Sequence, residues 1–237
     1  MTRNPMPADA VARKALPQYL LREGISLLTV GALLFASAGT LAWWGAWAML
    51  AVTGAWIAGM TIIVQRRSPG LFAERLEVRP GARRWDVAYT SLHGLLQLAT
   101  FIVAGLDRRF GWTVGLPVAA QGLALVACVV GYTLFLWAVA CNPFFSQIVR
   151  IQGERGHTVA TQGPYRFIRH PGYFGGVVTQ IGVPLLLGSW PALALGVVDA
   201  LALIVRTAVE DRTLQADLPG YAEYAGGVRY RLLPGVW

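Results

Sequence analysis

Long apolar runs alternate with short polar stretches along this chain. Four such runs occupy residues 1–140, at about 24–42, 44–64, 87–106 and 114–140. Each approaches the roughly 20 residues that an α-helix needs to cross the hydrocarbon core of a bilayer. The pattern therefore predicts about four transmembrane helices in this N-terminal part.

A further apolar region, residues 174–209, is interrupted by Gly188-Ser189-Trp190-Pro191. Each half is short for a straight span, which predicts either a re-entrant hairpin or two tilted helices. The polar stretch after residue 209 predicts a short helical tail. The sequence as a whole predicts an all-α, polytopic membrane protein with about five to six transmembrane helices, in which residues 141–237 form a second region.

Composition supports this prediction and adds an orientation. The chain is 55% hydrophobic and 14% charged, with a mean hydropathy of +0.51, which is too apolar for a soluble domain of 237 residues. Its net charge of +8 comes almost entirely from arginine. Arginines concentrate in the loop 65–86, which the positive-inside rule places in the cytoplasm. Counting spans puts both termini and residues 141–173 there too, and puts Asp107-Arg108-Arg109 in an outer loop. We expect the arginines to meet lipid headgroups, with no nucleic-acid partner.

The densest polar chemistry lies at residues 163–176, which read G-P-Y-R-F-I-R-H-P-G-Y-F-G-G. Proline and glycine disfavour a long regular helix, so the stretch predicts a break at the membrane face. The break presents two guanidiniums, an imidazole and two phenols: Tyr165, Arg166, Arg169, His170 and Tyr173. This combination suits an anionic or zwitterionic ligand beside an apolar one.

Two acidic residues, Glu210 and Asp211, follow the last apolar run. A carboxylate near a bilayer is costly unless it faces a partner or a polar cavity. Because Asp199, Arg206 and Glu210 recur at helical spacing, a simple pair between Arg206 and Glu210 is an alternative. The segment P-G-Y-A-E-Y then begins at residue 219.

The ordered set G-P-Y-x-x-x-R-H-P-x-Y-x-G, an acidic pair and P-G-Y-x-x-Y resembles the isoprenylcysteine carboxyl methyltransferase and phospholipid methyltransferase superfamily of membrane enzymes. The resemblance covers roughly residues 142–237. It implies a methyltransferase-like region that uses S-adenosylmethionine at the cytoplasmic face. It also implies cofactor contacts from nine residues: His157, Val159, Gly163, Tyr165, His170, Pro171, Tyr173, Glu210 and Asp211.

Catalytic roles fall to two residues by the same resemblance. Arg169 would orient the acceptor or the cofactor carboxylate, and Glu210 would act in the site. The second acid is one methylene shorter here than in the family's pattern, so Glu210 is the firmer assignment. Three scattered histidines, without C-x-x-C or H-E-x-x-H, predict no metal site.

The acceptor is lipophilic in this interpretation, since it would reach the site from between helices. A prenylated carboxylate, an amine lipid and a small thiol all stay open, as does the oligomeric state. One alternative is an NADPH-dependent enzyme similar to sterol and steroid reductases, with Arg150 and Arg155 on the nucleotide phosphates. Another is a non-catalytic membrane carrier or scaffold, which would place polar residues near the midplane or show two similar halves.

Other polar residues receive structural interpretations. We expect His93, inside the third span, to form a hydrogen bond between helices. Tyr221 and Tyr224 are expected to pack on the cytoplasmic face. Arg229 and Arg231 are expected to meet lipid phosphate.

Overall fold

The fold is entirely helical in the part of the chain that the structure describes. A computed structural model describes residues 8–69, 71–76, 83–114 and 116–237. Within these ranges there is no strand, and the all-α prediction is confirmed. The helices in chain order are α1 (Ala8–Ala38), α2 (Trp44–Arg67), α3 (Leu71–Leu76), α4 (Arg84–Phe110), α5 (Val118–Cys141), α6 (Pro171–Leu187), α7 (Trp190–Asp217) and α8 (Tyr221–Gly227).

Five helices are long and apolar enough to cross a membrane. They are α1 from Ala15, α2, α4, α5 and α7. Helix α6 is apolar but has only 17 residues. The prediction of a multi-pass membrane protein with about five to six transmembrane helices is therefore confirmed.

The interrupted apolar region forms two helices of unequal length. Gly188 ends α6 in the left-handed region at φ 81°, and Ser189 caps α7 by accepting a hydrogen bond from the Ala192 N–H at 3.2 Å. Helix α7 continues to Asp217 and has 28 residues. The second half is longer than the apolar run because the polar residues from Glu210 onward stay helical.

The prediction of a loop at Asp107-Arg108-Arg109 is wrong, because these residues form the last turn of α4. The Asp107 carboxylate is buried and accepts a hydrogen bond from the Thr113 N–H at 2.7 Å. Helix α4 ends only at Gly111, which adopts φ 68°. Of the predicted cytoplasmic loop 65–86, residues 70 and 77–82 lie outside the described residues.

Glycines let α6 pack between α5 and α7 with its backbone close to both. A Cβ at Gly175 of α6 would lie 2.4 Å from the Gly131 carbonyl oxygen of α5, and a Cβ at Gly196 of α7 would lie 2.3 Å from the Gln180 carbonyl oxygen. Small residues at such contacts are typical of helix packing in membranes. This packing fixes the N-terminal end of α6, where the polar motif lies.

Replacing Gly131 should destabilise the bundle. In Gly131→Ala the new methyl group would lie 2.8 Å from the Gly175 carbonyl oxygen, so α5 and α6 must separate. We expect a loss of about 1–3 kcal/mol, as for overpacked sites. Thermal unfolding in detergent measures it.

Gly122→Ala is the matched control on the same helix, since a Cβ there meets nothing within 4 Å. Equal melting temperatures for the two variants would contradict the close contact between α5 and α6.

Candidate active site

The loop between α5 and α6 folds against the ends of both helices. It contains two short 3-10 turns, Gly153–Arg155 and Gly163–Arg166. Gly163 adopts φ 60°, and a Cβ there would lie 2.5 Å from the Cys141 sulfur. Pro171 then starts α6 in its first turn, where the missing N–H costs nothing. Glycine and proline thus create the break in the helices that the sequence predicts, and they place His170 at its end.

Behind this break lies the Asp211 carboxylate, which has no exposed surface. Its Oδ1 accepts a hydrogen bond from Arg169 Nε at 2.7 Å, and its Oδ2 accepts one from Arg169 Nη2 at 2.9 Å. His170 Nε2 lies 3.2 Å from Oδ1. The two adjacent motif residues therefore converge on one buried carboxylate.

The C-terminal part of the chain completes this cluster. Tyr221 donates its hydroxyl to Asp211 Oδ1 at 3.0 Å, Arg231 Nε donates to Oδ2 at 2.9 Å, and Gln215 Nε2 donates to Oδ2 at 2.8 Å. Arg231 is expected from the sequence to meet lipid phosphate, but its Nε group binds the Asp211 carboxylate instead. Asp211 holds the loop, α7 and the tail together.

Arg169 donates four of its five N–H groups to acceptors within the chain. Besides its two bonds to Asp211, its Nη1 donates to the carbonyl oxygens of Val228 at 2.7 Å and Arg229 at 2.9 Å. Burial lowers the pKa of Arg169, but the hydrogen bonds and charge of Asp211 outweigh burial, and the pKa lies above its ordinary value. The sequence predicts that Arg169 orients an acceptor or cofactor carboxylate. In the structure the Arg169 guanidinium binds the Asp211 carboxylate, and Arg169 also lines the cleft described below.

Glu210 turns away from this cluster. Its Oε2 accepts a hydrogen bond from the Tyr173 hydroxyl at 2.6 Å. Arg206 does not pair with it: the Arg206 Nε donates to Asp86 Oδ1 at 2.8 Å, so the alternative of a simple pair between Arg206 and Glu210 is wrong. Glu210 keeps a partly exposed carboxylate that faces a cleft.

That cleft lies between the loop 142–170 and the C-terminal part of α7. Seven predicted site residues line it: His157, Val159, Tyr165, Arg169, His170, Tyr173 and Glu210. Gly163, Pro171 and Asp211 are not among its lining residues. Gly163 and Pro171 shape the backbone behind the cleft, and Asp211 is fully buried.

Aromatic rings form one wall of the cleft. The His157 ring stacks on Phe144 with centroids 4.5 Å apart, and its Nδ1 accepts a hydrogen bond from the Gln152 N–H at 3.2 Å. Burial lowers the pKa of His157, and the charges of Arg155 and Arg150 lower it further. A neutral ring matches the role of Nδ1 as an acceptor.

Tyr165 also lines the cleft and is held by two hydrogen bonds. Asn142 Nδ2 donates to the Tyr165 hydroxyl at 3.3 Å, and the Tyr224 hydroxyl donates to the Tyr165 carbonyl oxygen at 2.6 Å. Burial raises the pKa of Tyr165, so the phenol stays neutral. Tyr221 and Tyr224 both make internal contacts, as expected of packing residues.

A second cavity, of about 480 Å³, lies between the membrane helices. Side chains of α2 to α7 and of the loop before α6 line it, and most of its surface is apolar. Four residues belong to the walls of both cavities: Phe145, Ser146, Gly172 and Tyr173. The cleft and the intramembrane cavity therefore meet at the start of α6.

Sequence reasoning missed Asp86, which connects the N-terminal helices to this region. Asp86 is fully buried, and besides the Arg206 guanidinium it accepts the Val149 N–H at 2.7 Å. Its position beside an apolar run is the signal that could have found it, since such a carboxylate needs a partner.

For His93 the expected bond between helices is confirmed, with Nδ1 2.9 Å from the Asp199 carboxylate.

Comparisons with known proteins agree with this architecture. Residues 123–216 match the model of the isoprenylcysteine carboxyl methyltransferase (ICMT) family. Probable protein-S-isoprenylcysteine O-methyltransferases of Oryza sativa subsp. indica and subsp. japonica are each 33% identical over 66 residues, which is 27% of this chain and 35% of theirs. The cobalt-zinc-cadmium resistance protein CzcN of Cupriavidus metallidurans is 38% identical over 81 residues, 32% of this chain and 35% of that protein. The chain spans about a third of the length of these relatives.

A solved structure, of the eukaryotic intramembrane Ras methyltransferase ICMT, shares the fold. It aligns with a TM-score of 0.50 and 17% identity over 90% of this chain and 75% of that chain. The matched region contains most of α5, all of α6, α7 almost to its end and the loop that forms the cleft. The resemblance indicated by the motifs is therefore confirmed: this chain is an all-α, multi-pass membrane protein whose residues 123–216 match the isoprenylcysteine carboxyl methyltransferase family.

Proposed function

We propose that this protein transfers a methyl group from S-adenosylmethionine to a lipophilic acceptor at the cytoplasmic face of the membrane. The observation that carries the proposal is the shared wall between the polar cleft and the intramembrane cavity, at Phe145, Ser146, Gly172 and Tyr173. A water-soluble donor and an apolar acceptor can each occupy the cavity that suits them. The methyl donor then stays on the aqueous side and the acceptor chain stays between the helices, while their reacting groups meet at the shared wall.

The chemistry of the cleft fits S-adenosylmethionine. Glu210 supplies one carboxylate for the ammonium group or the ribose hydroxyls. The rings of Phe144, Tyr165 and Tyr173 line the same cleft, where aromatic faces suit adenine and a sulfonium. The cofactor would supply an electrophilic methyl group on its positively charged sulfur.

The chain's own contribution is alignment in a water-poor site. The Tyr173 hydroxyl holds the Glu210 carboxylate at 2.6 Å, and the Tyr173 ring lies on the wall that both cavities share. Methyl transfer is an in-line displacement, for which positioning is worth several kcal/mol, of order 7–11 in the best cases. A carboxylate or thiolate acceptor needs no base, whereas an ammonium must first lose a proton.

Arg169 and Asp211 act as positioning residues in this proposal. Their paired charges fix the backbone between Gly163 and His170 against α7, and so they set where His170 and Tyr173 stand. His170 stacks on Tyr173 with ring centroids 5.6 Å apart. The Arg169–Asp211 ion pair therefore influences the position of Tyr173, on the shared wall, through the stacked His170 ring.

The reductase alternative gains no support from the geometry. The arginines that a reductase would use for nucleotide phosphates have partners in their own loop: Arg150 pairs with Glu154 at 2.8 Å, and Arg155 donates to the Pro143 carbonyl oxygen at 3.1 Å. The described residues hold no group of three or more His, Cys, Asp or Glu side chains that could bind a metal ion, so nothing favours a metal-handling role like that in the name of CzcN. The names of the rice relatives favour an isoprenylcysteine acceptor.

Glu210→Gln should weaken cofactor binding without unfolding the protein. It removes the charge that would meet the ammonium or ribose, and charge-assisted hydrogen bonds contribute about 1.5–3 kcal/mol, so we expect a loss of about tenfold or more. Calorimetric titration of the detergent-purified protein with S-adenosylhomocysteine measures it, with NADPH titrated in parallel.

Glu223→Gln is the control, because Glu223 is exposed on α8 and lines neither cavity. Saturable binding of NADPH, or equal affinity of wild type and Glu210→Gln for the homocysteine nucleoside, would refute the cofactor assignment.

Tyr173→Phe should lower turnover while keeping the fold, because it removes the hydroxyl that orients Glu210 and retains the ring. Transfer of a labelled methyl group from S-adenosylmethionine to N-acetyl-S-farnesylcysteine measures it. We expect activity in the wild type and a fall in kcat of about tenfold in the variant, in line with the loss of one strong hydrogen bond. No transfer by the wild type to this acceptor or to a farnesyl amine or thiol would count against methyl transfer itself.

Asp211→Asn should destabilise the protein strongly. It leaves the buried guanidinium of Arg169 without its counter-charge, a change that costs about 3–5 kcal/mol in buried ion pairs. Thermal unfolding in detergent measures it.

Asp217→Asn, at the exposed end of the same helix, breaks only a surface pair with Arg83 and should cost about 1 kcal/mol or less. Similar melting temperatures for Asp211→Asn and Asp217→Asn would contradict the central role of the buried carboxylate.

A further inference from the structure

The intramembrane cavity contains buried polar atoms that no group in the described part of the chain satisfies. They are Nε and Nη2 of Arg75, Nε1 of Trp56 and Oε1 of Gln180. All three side chains line this cavity, and they come from three different helices, α3, α2 and α6. Buried polar groups in native proteins are almost always hydrogen-bonded, so three that converge on one cavity indicate a ligand.

The chain uses well-packed contacts to hold Arg75 in this place. Leu71 and Phe72 of α3 are fully buried, and the Phe72 ring packs on Tyr19 of α1 with centroids 5.1 Å apart. Arg22 of α1 donates a hydrogen bond to the Arg75 carbonyl oxygen. The guanidinium itself is turned inward, and only 6% of Arg75 is exposed.

The charges around the cavity are unbalanced at Arg75. Two arginines line the cavity, and its described lining contains no carboxylate. Arg206 is paired with Asp86. Arg75 has no such partner among the described residues: Glu23 acts on it only at a distance and accepts a hydrogen bond from Arg22 at 2.6 Å. Burial lowers the pKa of Arg75, which reflects the cost of this unpaired cation.

We infer that Arg75, with Trp56 and Gln180, binds the anionic head of an amphiphile inside the intramembrane cavity. A guanidinium recognises a carboxylate through two parallel hydrogen bonds, and it repels an ammonium. The Trp56 N–H adds a further donor, and Gln180 offers a polar group that can turn to either role. The link between this site and the acceptor rests on the proposed function. If the bound amphiphile is the methyl acceptor, the acceptor is anionic and not an amine lipid, and Arg75 determines acceptor specificity.

The test compares three probes that share one farnesylthio chain: the carboxylate S-farnesylthioacetate, its neutral primary amide, and the cationic S-farnesylcysteamine. Each is titrated calorimetrically into the full chain in detergent, with no cofactor added. For the wild type we expect the carboxylate to bind at least about tenfold more tightly than the amide, and more tightly still than the amine.

Arg75→Met keeps the length and apolar stem of the side chain and removes its charge. It should abolish the preference for the carboxylate over the amide, while Arg75→Lys should retain part of it. Arg66→Met is the matched control, since Arg66 is exposed at the end of α2 and lines neither cavity. It should bind all three probes as the wild type does.

Thermal unfolding of the ligand-free variants separates a binding role from a structural one. Removing an unpaired buried cation should leave the melting temperature of Arg75→Met equal to or above that of the wild type. A clearly lower melting temperature would mean that Arg75 serves the fold, and it would overturn the inference.

Three binding results would also overturn it: no binding of the carboxylate to the wild type, tighter binding of the amine, or equal carboxylate affinity of the wild type and Arg75→Met. Because no cofactor is present, these results are independent of the methyl-transfer assay. Anion selectivity can hold in a protein that transfers no methyl group, and methyl transfer can hold without any dependence on Arg75.

Discussion

A carboxylate buried beside a membrane must be neutralised within the protein, and Asp211 meets this requirement with groups from every part of the C-terminal region. Arg169 and His170 come from the loop before α6, Gln215 from α7 itself, and Tyr221 and Arg231 from the tail. Each donor brings its own segment to the same point. The loop, the helix and the tail therefore adopt one arrangement, and the cleft is the space left between them.

Adjacent positions on one helix serve opposite purposes here. Neighbouring residues on an α-helix point about 100° apart, so Glu210 and Asp211 face different surroundings although they are consecutive. Asp211 points into the protein and accepts charge-assisted hydrogen bonds on both oxygens. Glu210 points into the cleft and has one phenol as its hydrogen-bond partner. In this acidic pair, Asp211 therefore supports the fold, whereas Glu210 lies where a ligand can reach it.

The membrane helices could be predicted from the sequence because burial in lipid demands long apolar runs. Helix ends were less predictable. The charged Asp107-Arg108-Arg109 is typical of a loop, but these residues are helical, and the buried Asp107 carboxylate binds the Thr113 N–H beyond the helix end. Partner choice was least predictable, since Arg206 reaches Asp86 across 120 positions of the chain, whereas Glu210 lies only one turn away. Seven of the ten residues predicted for the site line the cleft, but local spacing does not show which of them bind one another.

The short length of α6 has a further consequence for the lipid around it. Its 17 residues extend about 25 Å, which is less than the roughly 30 Å of a bilayer's hydrocarbon core. A helix of this length leaves one of its ends below the level of the headgroups, or the bilayer becomes thinner beside it. Where that end is the polar loop before α6, the cleft opens at the depth of the upper acyl chains. A molecule anchored by its hydrocarbon tail can present its head to this cleft by moving sideways in its own leaflet, so the supply of such a molecule depends on diffusion within the membrane.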